Sequence, residues 1–507
     1  MKNSEIEMIE DNNISHRVGE IISEDIDQKV RDIVVISIDK MLDGLSPVNS
    51  KCNIIYQVPK ELREINDKAY VPQFISIGPF HYRTRKDLIA NEHYKLQGFY
   101  NFLRGININE KQVESLEEDQ VKISSKVLVE KSHSWMKEAW NCYAEPIKME
   151  EEEFIIMMLV DACFIVEFFL LCYGSFQEGD RLFKFSLFYY GVFYEILLDL
   201  IKLENQVPFF LLQNLFDLIP KDNDDTSSIV DYEAGPISLI DLTYMALKAF
   251  GFVREYEINN LYHKNPEHIL DLLSFYFLPV PHNDPDMNKQ HDKRKNKADF
   301  LSFFRHLWNK KSDHKKISKQ RRLSPPTITE LFEAGVTIKA AEKENLCFMN
   351  ISFKNGVLEI PPIVIEGTFE VVIRNVLAFE IFPAGNQKKY AIQYVTFLDD
   401  LISTEKDLCL LVKAGVITND TGGSDKEASE LFNSLTKLVT TPLSSYFDDT
   451  SKALRVHCDG SWNKAKASLK HNYFNTPWAI ISFFAAIFLI ILTILQTIFS
   501  AISAFPN

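Results

Sequence analysis

Along residues 51–279 apolar side chains recur at the three- and four-residue spacing of amphipathic helices, with breaks at Val58-Pro59, Val71-Pro72, Gly78-Pro79 and the acidic stretch 221–225. The pattern predicts a set of separate helices. In 182–203 nearly every position is apolar, but Glu195, Asp199 and Lys202 follow one another at spacings of four and three. That puts three charges on one stripe, which predicts a solvated face carrying an Asp–Lys pair at i,i+3 rather than an acid and a base. After Ser324-Pro325-Pro326 a short helix is expected over 327–334, and the text then turns strand-like. Residues 348–353, then Lys354-Asn355-Gly356, then 357–360 predict a hairpin, because Asn-Gly tolerates the positive φ angles of a tight turn. Residues 363–365 add a further strand, and helical periodicity resumes over 369–411 and 427–439. The expected fold class is mainly α with a small β element: one large helical domain and one C-terminal transmembrane helix. No repeat occurs at the usual solenoid periods.

Two apolar runs are long enough to cross a bilayer. Residues 478–495 read WAIISFFAAIFLIILTIL, and no charged residue follows Lys470 apart from His471 if protonated. The span expected is 477–502, which covers a hydrocarbon core of about 30 Å with some tilt. Tyr473 and Trp478 suit the membrane interface. Lys464, Lys466, Lys470 and His471 precede the run and nothing charged follows, so the positive-inside rule keeps the N-terminal body cytoplasmic. The second run, 154–173, contains Asp161 and Glu167 and is entered through the acids at 150–153. Two central acids at about 3 kcal/mol each roughly cancel its apolar gain. It is expected to be a buried core helix whose positive dipole end meets those entry acids.

The 507 residues allow two or three folded units, expected as a polar, partly disordered leader at 1–48, a body at 51–462 and the terminal helix. In the leader, the apolar patch 30–41 predicts an amphipathic helix docking on the body. No signal peptide is visible at the polar, acid-rich start. The net charge of −15 argues against a general binder of nucleic acid or of anionic membrane unless positive charge is gathered locally, and no nucleic acid is expected as partner. Within the body, a basic linker or insertion at 289–322 separates the helical part, 51–279, from an α+β part, 327–462. That insertion has thirteen Lys or Arg against three Asp, a net of +10. It admits three readings: a solvated linker, a contact with anionic lipid headgroups, or a nuclear signal at Lys293-Arg294-Lys295. The lipid contact would use Lys293, Arg294, Lys295, Lys310, Lys311, Lys315, Lys316, Arg321 and Arg322. Seven scattered cysteines without a C-x-x-C pair predict free thiols and no zinc ribbon.

Several ordered blocks are distinctive. Tyr56-Gln57-Val58-Pro59, Tyr70-Val71-Pro72, Ile75-Ser76-Ile77-Gly78-Pro79-Phe80-His81 and Glu92-His93-Tyr94-Lys95 come first. Asp161-Ala162-Cys163-Phe164-Ile165-Val166-Glu167 and Leu203-Glu204-Asn205-Gln206-Val207-Pro208-Phe209 follow. The series ends with 331–336 around Gly335, 356–361, Arg374-Asn375 to Glu380, and Pro477-Trp478. Together they resemble the plant DUF247 family, also called UPF0481 proteins, from about Cys52 onward. Ala162 stands where the family's segment has Gly; both are small. The resemblance implies a plant protein with a mostly helical domain, a single C-terminal membrane segment and no established activity. Some relatives are linked to pollen recognition in grass self-incompatibility, a role that no motif residue carries over to this chain.

Chemistry is sparse. No G-x-S-x-G, Walker A, H-E-x-x-H, EF-hand or kinase signature occurs, and neither cofactor nor metal is expected. The family-like residues Pro59, Pro72, Gly78, Pro79, His81, Glu92, Lys95, Asp161, Cys163, Glu167, Glu204, Asn205, Gln206, Pro208, Gly335, Asn375 and Glu380 are expected to be structural. Glu92 and Lys95 form a helical i,i+3 pair, Glu204 to Gln206 satisfy backbone groups at a buried helix break before Pro208, and Cys163 packs. The expected function is a membrane-anchored interaction, signalling or recognition protein, bound to the bilayer by its terminal helix and to unidentified protein partners. The alternatives are an enzyme acting on a membrane-proximal small molecule through the polar cluster 81–95, and an anionic-lipid module using 289–322.

Overall fold

The computed structural model describes residues 54–105, 117–177, 187–219, 237–249, 251–252, 265–279, 322–342, 348–382, 389–442, 444–460 and 477–504. The leader with its patch 30–41, Tyr473, and the basic insertion other than Arg322 lie outside them. The architecture is mainly helical with two small sheets.

Its centre is a 27-residue helix, Glu151–Gln177, preceded in chain order by Lys60–Ile65 (α1), Lys86–Ala90 (α2), Glu92–Gly105 (α3) and Glu117–Trp140 (α4), and therefore α5. A helix that is apolar on nearly all sides must be covered on nearly all sides. α5 is covered by α3, by Phe209–Phe216 (α7, after Leu187–Leu200, α6) and by Leu239–Ala249 (α8). Its transmembrane-like stretch Glu151–Gly174 is 67% buried in the protein, whereas none of the terminal stretch Ile481–Ser500 is. Glu151, Glu152 and Glu153 occupy its first turn, where carboxylates meet the positive end of the helix dipole. α3 approaches α5 closely at Gly98: a Cβ there would lie 2.8 Å from Cδ2 of Phe164 and 3.2 Å from its Cα.

Ile269–Ser274 (α9) ends the first part. The second begins with Ile328–Glu333 (α10), whose Thr327 and Glu330 form a reciprocal capping box. The helix stops at Gly335, which takes φ +80° and donates its N–H to Phe332, while Val336 donates to Leu331. Three strands follow, Thr337–Ala340 (β1), Ser352–Lys354 (β2) and Val357–Ile360 (β3). β2 and β3 pair antiparallel through Asn355 and Gly356, both at positive φ, and β1 lies parallel on the other side of β3. The strand Ile363–Ile365 (β4) does not extend this sheet. It pairs in parallel with Ile417–Asn419 (β5), about fifty residues on. The helical stretch expected over 369–411 is divided into Phe369–Ile381 (α11), Tyr390–Leu401 (α12) and Glu405–Lys413 (α13). A second capping box, Thr404 with Asp407, starts the last of these. Asp425–Leu435 (α14) and Asp448–Asp459 (α15) complete the second part, and Pro477–Ala504 (α16) is the terminal helix.

The Gly98 contact sets a stability test. Gly98→Ala forces a methyl against Phe164 backbone as well as side chain, an overpacking cost of about 1–3 kcal/mol. Thermal denaturation of the detergent-solubilised full-length chain should show a lower midpoint for Gly98→Ala, and an unchanged one for Gly105→Ala, where the space around the added methyl is open.

Candidate functional site

Most of the polar motif residues, though not Glu167 or Glu380, meet in one buried seam, and what they meet is a length of backbone. Residues 70–78 run between helices without joining a strand, yet Ile75, Ser76, Ile77 and Gly78 are buried. Buried amides and carbonyls outside a helix or sheet need other partners. Asp199, at the end of α6, accepts from the N–H groups of Gln73, Phe74 and Ile75, at 2.9, 2.6 and 2.8 Å. Asn205 acts as a substitute strand: its Oδ1 accepts from Ile77 N–H at 2.7 Å and its Nδ2 donates to the Ile75 carbonyl at 3.1 Å. Asp161 of α5 accepts from Gly78 N–H at 2.8 Å, and Lys95 of α3 donates to the Ser76 carbonyl at 2.9 Å. Asn91 donates to Phe74 and Lys202 to Val71. Gly78 has φ +69°, and a Cβ on it would sit 2.7 Å from the Gln206 carbonyl oxygen.

The loop 203–208 is fastened in the same way. Gln206 donates to the carbonyls of Leu200 and Lys202 at the end of α6, while Tyr143 donates its hydroxyl to the Gln206 carbonyl at 3.0 Å. Asn375 of α11 accepts from Leu203 N–H at 3.0 Å and donates to the Ala69 carbonyl at 2.8 Å, tying the two halves of the chain together. Glu204 accepts from Val58 N–H and pairs with Arg63 and with His81, whose Nε2 is 2.9 Å away. Pro59 and Pro208 stand at the N-caps of α1 and α7, where no intrahelical donor is needed.

Charge in this seam is balanced pair by pair. Burial disfavours the Lys95 ammonium, but Asp161 at 2.7 Å and Glu92 at 2.8 Å outweigh it and hold the pKa above its ordinary value. Burial pushes the Asp161 carboxyl up, against the pull of Lys95 and Gly78 N–H. For Glu204 burial is outweighed by the His81 hydrogen bond, Arg63 and Val58, and its pKa falls. Burial alone raises Glu167, half-buried on α5, to about 7. It also pushes the Cys163 thiol well above its usual range, too high for a ready thiolate. Glu380 ends the 374–380 block by accepting from Ala391 and Ile392 N–H at the start of α12, and burial pushes it up to about 7. His268 caps α9 through Nδ1, and desolvation brings it down to about 3, so it is neutral.

One expectation is corrected. Asp199 and Lys202 are buried rather than solvated. Their pair exists at 2.8 Å, but both side chains reach the 71–75 backbone, which supplies the partners water would have given, while Glu195 is half-buried. The polar cluster 81–95 is divided: His81 turns to Glu204, Lys95 to Asp161 with Glu92 on the same ammonium, and exposed His93 to the Ala90 carbonyl. Arg322 is paired with Asp400. Sequence reasoning missed Asn91, Tyr143 and Arg63 as seam members; the only signal for Asp199 was a charge inside an almost wholly apolar helix. No group of three or more His, Cys, Asp or Glu able to hold a metal occurs among the described residues. Trp478, at the start of α16, is exposed.

A family model described as DUF247, a plant protein of unknown function, matches residues 55–492. The chain belongs to the DUF247 family. Two proteins of Arabidopsis thaliana are similar to it over nearly their full lengths. "UPF0481 protein At3g47200" is 26% identical across 89% of this chain and 86% of its own, and "Putative UPF0481 protein At3g02645" is 23% identical across 93% and 95%. No solved structure matches. In this DUF247 protein Lys95, Asp161, Asn205, Gln206 and Asn375 fasten residues 69–78 and 203–208 together with Asp199, Lys202, Asn91 and Tyr143.

Two measurements probe that arrangement. Asp161→Leu or Lys95→Met alone strands a buried charge and should cost about 3–5 kcal/mol, while the double variant should lose clearly less than the sum in denaturant unfolding. For pH, the raised folded pKa of Glu380 means the native state holds its proton more tightly than the unfolded chain. Its contribution is therefore full below the ordinary carboxyl range and is lost as pH rises through about 7. Glu380→Gln should flatten the fall in stability between about pH 5 and about pH 8 by up to about 3 kcal/mol.

Proposed function

We propose that this DUF247 protein is a membrane-tethered interaction protein with a cytoplasm-facing body, and that its polar motif residues build the body rather than react with a substrate. The carrying observation is that Asp161, Asp199, Asn205, Gln206 and Asn375 have their hydrogen-bonding groups occupied by the protein's own backbone or by Lys95 and Lys202. An acid or base needs a proton partner within reach in a plausible substrate pose, and these groups face the chain instead. The tether rests on α16, whose bulky residues are exposed along its length, and the orientation on the basic residues between α15 and α16.

The experiment is protease protection of terminally tagged full-length protein in sealed microsomes, with a glycosidase shift measured beside it. The expected result is digestion of the body and no shift. The acceptor triplet at Asn419 makes the shift a sensitive reporter, because Thr421 is exposed beside Asn419 in a turn, whereas the triplet at Asn350 has buried Ile351 at its centre. A protected and glycosylated body overturns the orientation and moves the interaction surface to the lumenal or extracellular side.

A further inference from the structure

α16 is not uniformly apolar. At about 100° per residue, the positions Ser482, Ala486, Leu489, Thr493, Gln496 and Ser500 follow one another at alternating spacings of four and three. That is the seam of a 3.5-residue repeat. The opposite side of the same helix carries only Ile, Leu and Phe over residues 481–500. A bilayer rewards bulky apolar groups wherever they point, so it gives no reason to gather small and polar residues on one side. Helix-to-helix contact does, because small side chains let two backbones approach.

Small residues alone do not say what lies against them; Gln496 does. The hydroxyls beside it are satisfied within the helix, since Thr493 donates to the Leu489 carbonyl and Thr497 to the Thr493 carbonyl, both at 2.8 Å. The Gln496 amide reaches no hydrogen-bond partner among the described residues. It lies roughly 8 Å along the axis from the middle of the Ile481–Ser500 span, inside a hydrocarbon half-thickness of about 15 Å. An amide without a partner in such surroundings costs roughly 2–7 kcal/mol. A carboxamide is both donor and acceptor, and is therefore complementary to another copy of itself. Every copy of the chain enters the membrane with the same topology, so two anchors run parallel and a two-fold axis brings Gln496 against the same residue of its partner.

We propose that α16 pairs in parallel with α16 of a second copy of this chain through the seam from Ser482 to Ser500, with Gln496 amides exchanging hydrogen bonds across it. This rests on the membrane-anchor reading above. The test uses the full-length protein in membranes, carrying two different epitope tags. Carbonate extraction reports the anchor, and oxidative cross-linking of single introduced cysteines reports the seam against the parent chain as background. Ala486→Cys should give a cross-linked dimer above the parent, and Ile491→Cys, on the opposite side, should not. Gln496→Leu should lower co-capture of the two tags by roughly threefold or more while leaving carbonate resistance intact. Equal cross-linking from both sides, an unchanged dimer in Gln496→Leu, or cross-linking of Ala486→Cys to a different membrane protein each overturns the seam alone. Release of the parent protein by carbonate overturns the anchor and the seam together.

Discussion

Everything in the body depends on one awkward piece of chain. Residues 70–78 join no helix and no strand, and Ile75 to Gly78 are buried. A helix or a sheet satisfies its own amides and carbonyls; this segment cannot, and an unpaired buried group costs about 1–3 kcal/mol. With most of the groups from Val71 to Gly78 enclosed, the total would exceed the whole stability of a typical domain, roughly 5–15 kcal/mol. The fold therefore exists only if side chains from elsewhere are delivered to these atoms. Lys95 comes from α3, Asp161 from α5, Asp199 from the end of α6, Asn205 from the loop that follows, and each arrives on an element held by the apolar core.

That dependence explains why strongly polar residues sit among so many phenylalanines. A buried ion pair such as Lys95–Asp161 is weak support for stability as such, because desolvation offsets most of its attraction. Its value lies in being directional. Asp161 has one oxygen on Lys95 and the other on Gly78 N–H, so α3, α5 and the segment can pack in only one register. Asn375 does the same over a longer distance, joining Ala69 and Leu203 to a helix more than 160 residues further along the chain. The two parts of the body are thereby joined at a shared polar seam. Removing one member exposes the needs of the others, so effects within the seam should not add.

Much of this was legible in the sequence where the signal is local. Asn355-Gly356 specifies its turn through two positive φ angles, and Thr327 with Glu330 specifies a helix start. The mainly helical class and the exposure of α16 follow from periodicity and charge. What was not legible depends on which way a face points. The spacing of Asp199 and Lys202 correctly pairs them, although Lys202 lies in the turn just beyond α6, but spacing is equally consistent with water or with an unpaired backbone beside the pair. The pairing of β4 with β5 is hidden for a related reason: parallel strands need a long crossover, so nothing near 363–365 announces a partner at 417–419. Tyr143 and Arg63 carry no pattern at all; they matter because loops distant in sequence end beside them.

The two long apolar helices show how the same composition leads to opposite surroundings. α5 and α16 pass the same test of length and apolarity, yet the protein encloses most of one and none of the other. The difference lies in their polar residues. In α5, Asp161 is charged and placed where a lysine and a glycine amide converge, so the helix is incomplete without the folded body around it. In α16 the polar groups are neutral, and the threonines close onto their own helix, so it asks little of its surroundings and is compatible with lipid on most sides. One amide is left over. The segment 70–78 finds partners for its buried polar groups within the body, whereas Gln496 has none among the described residues, and the requirement is therefore passed outward to whatever lies beside the helix.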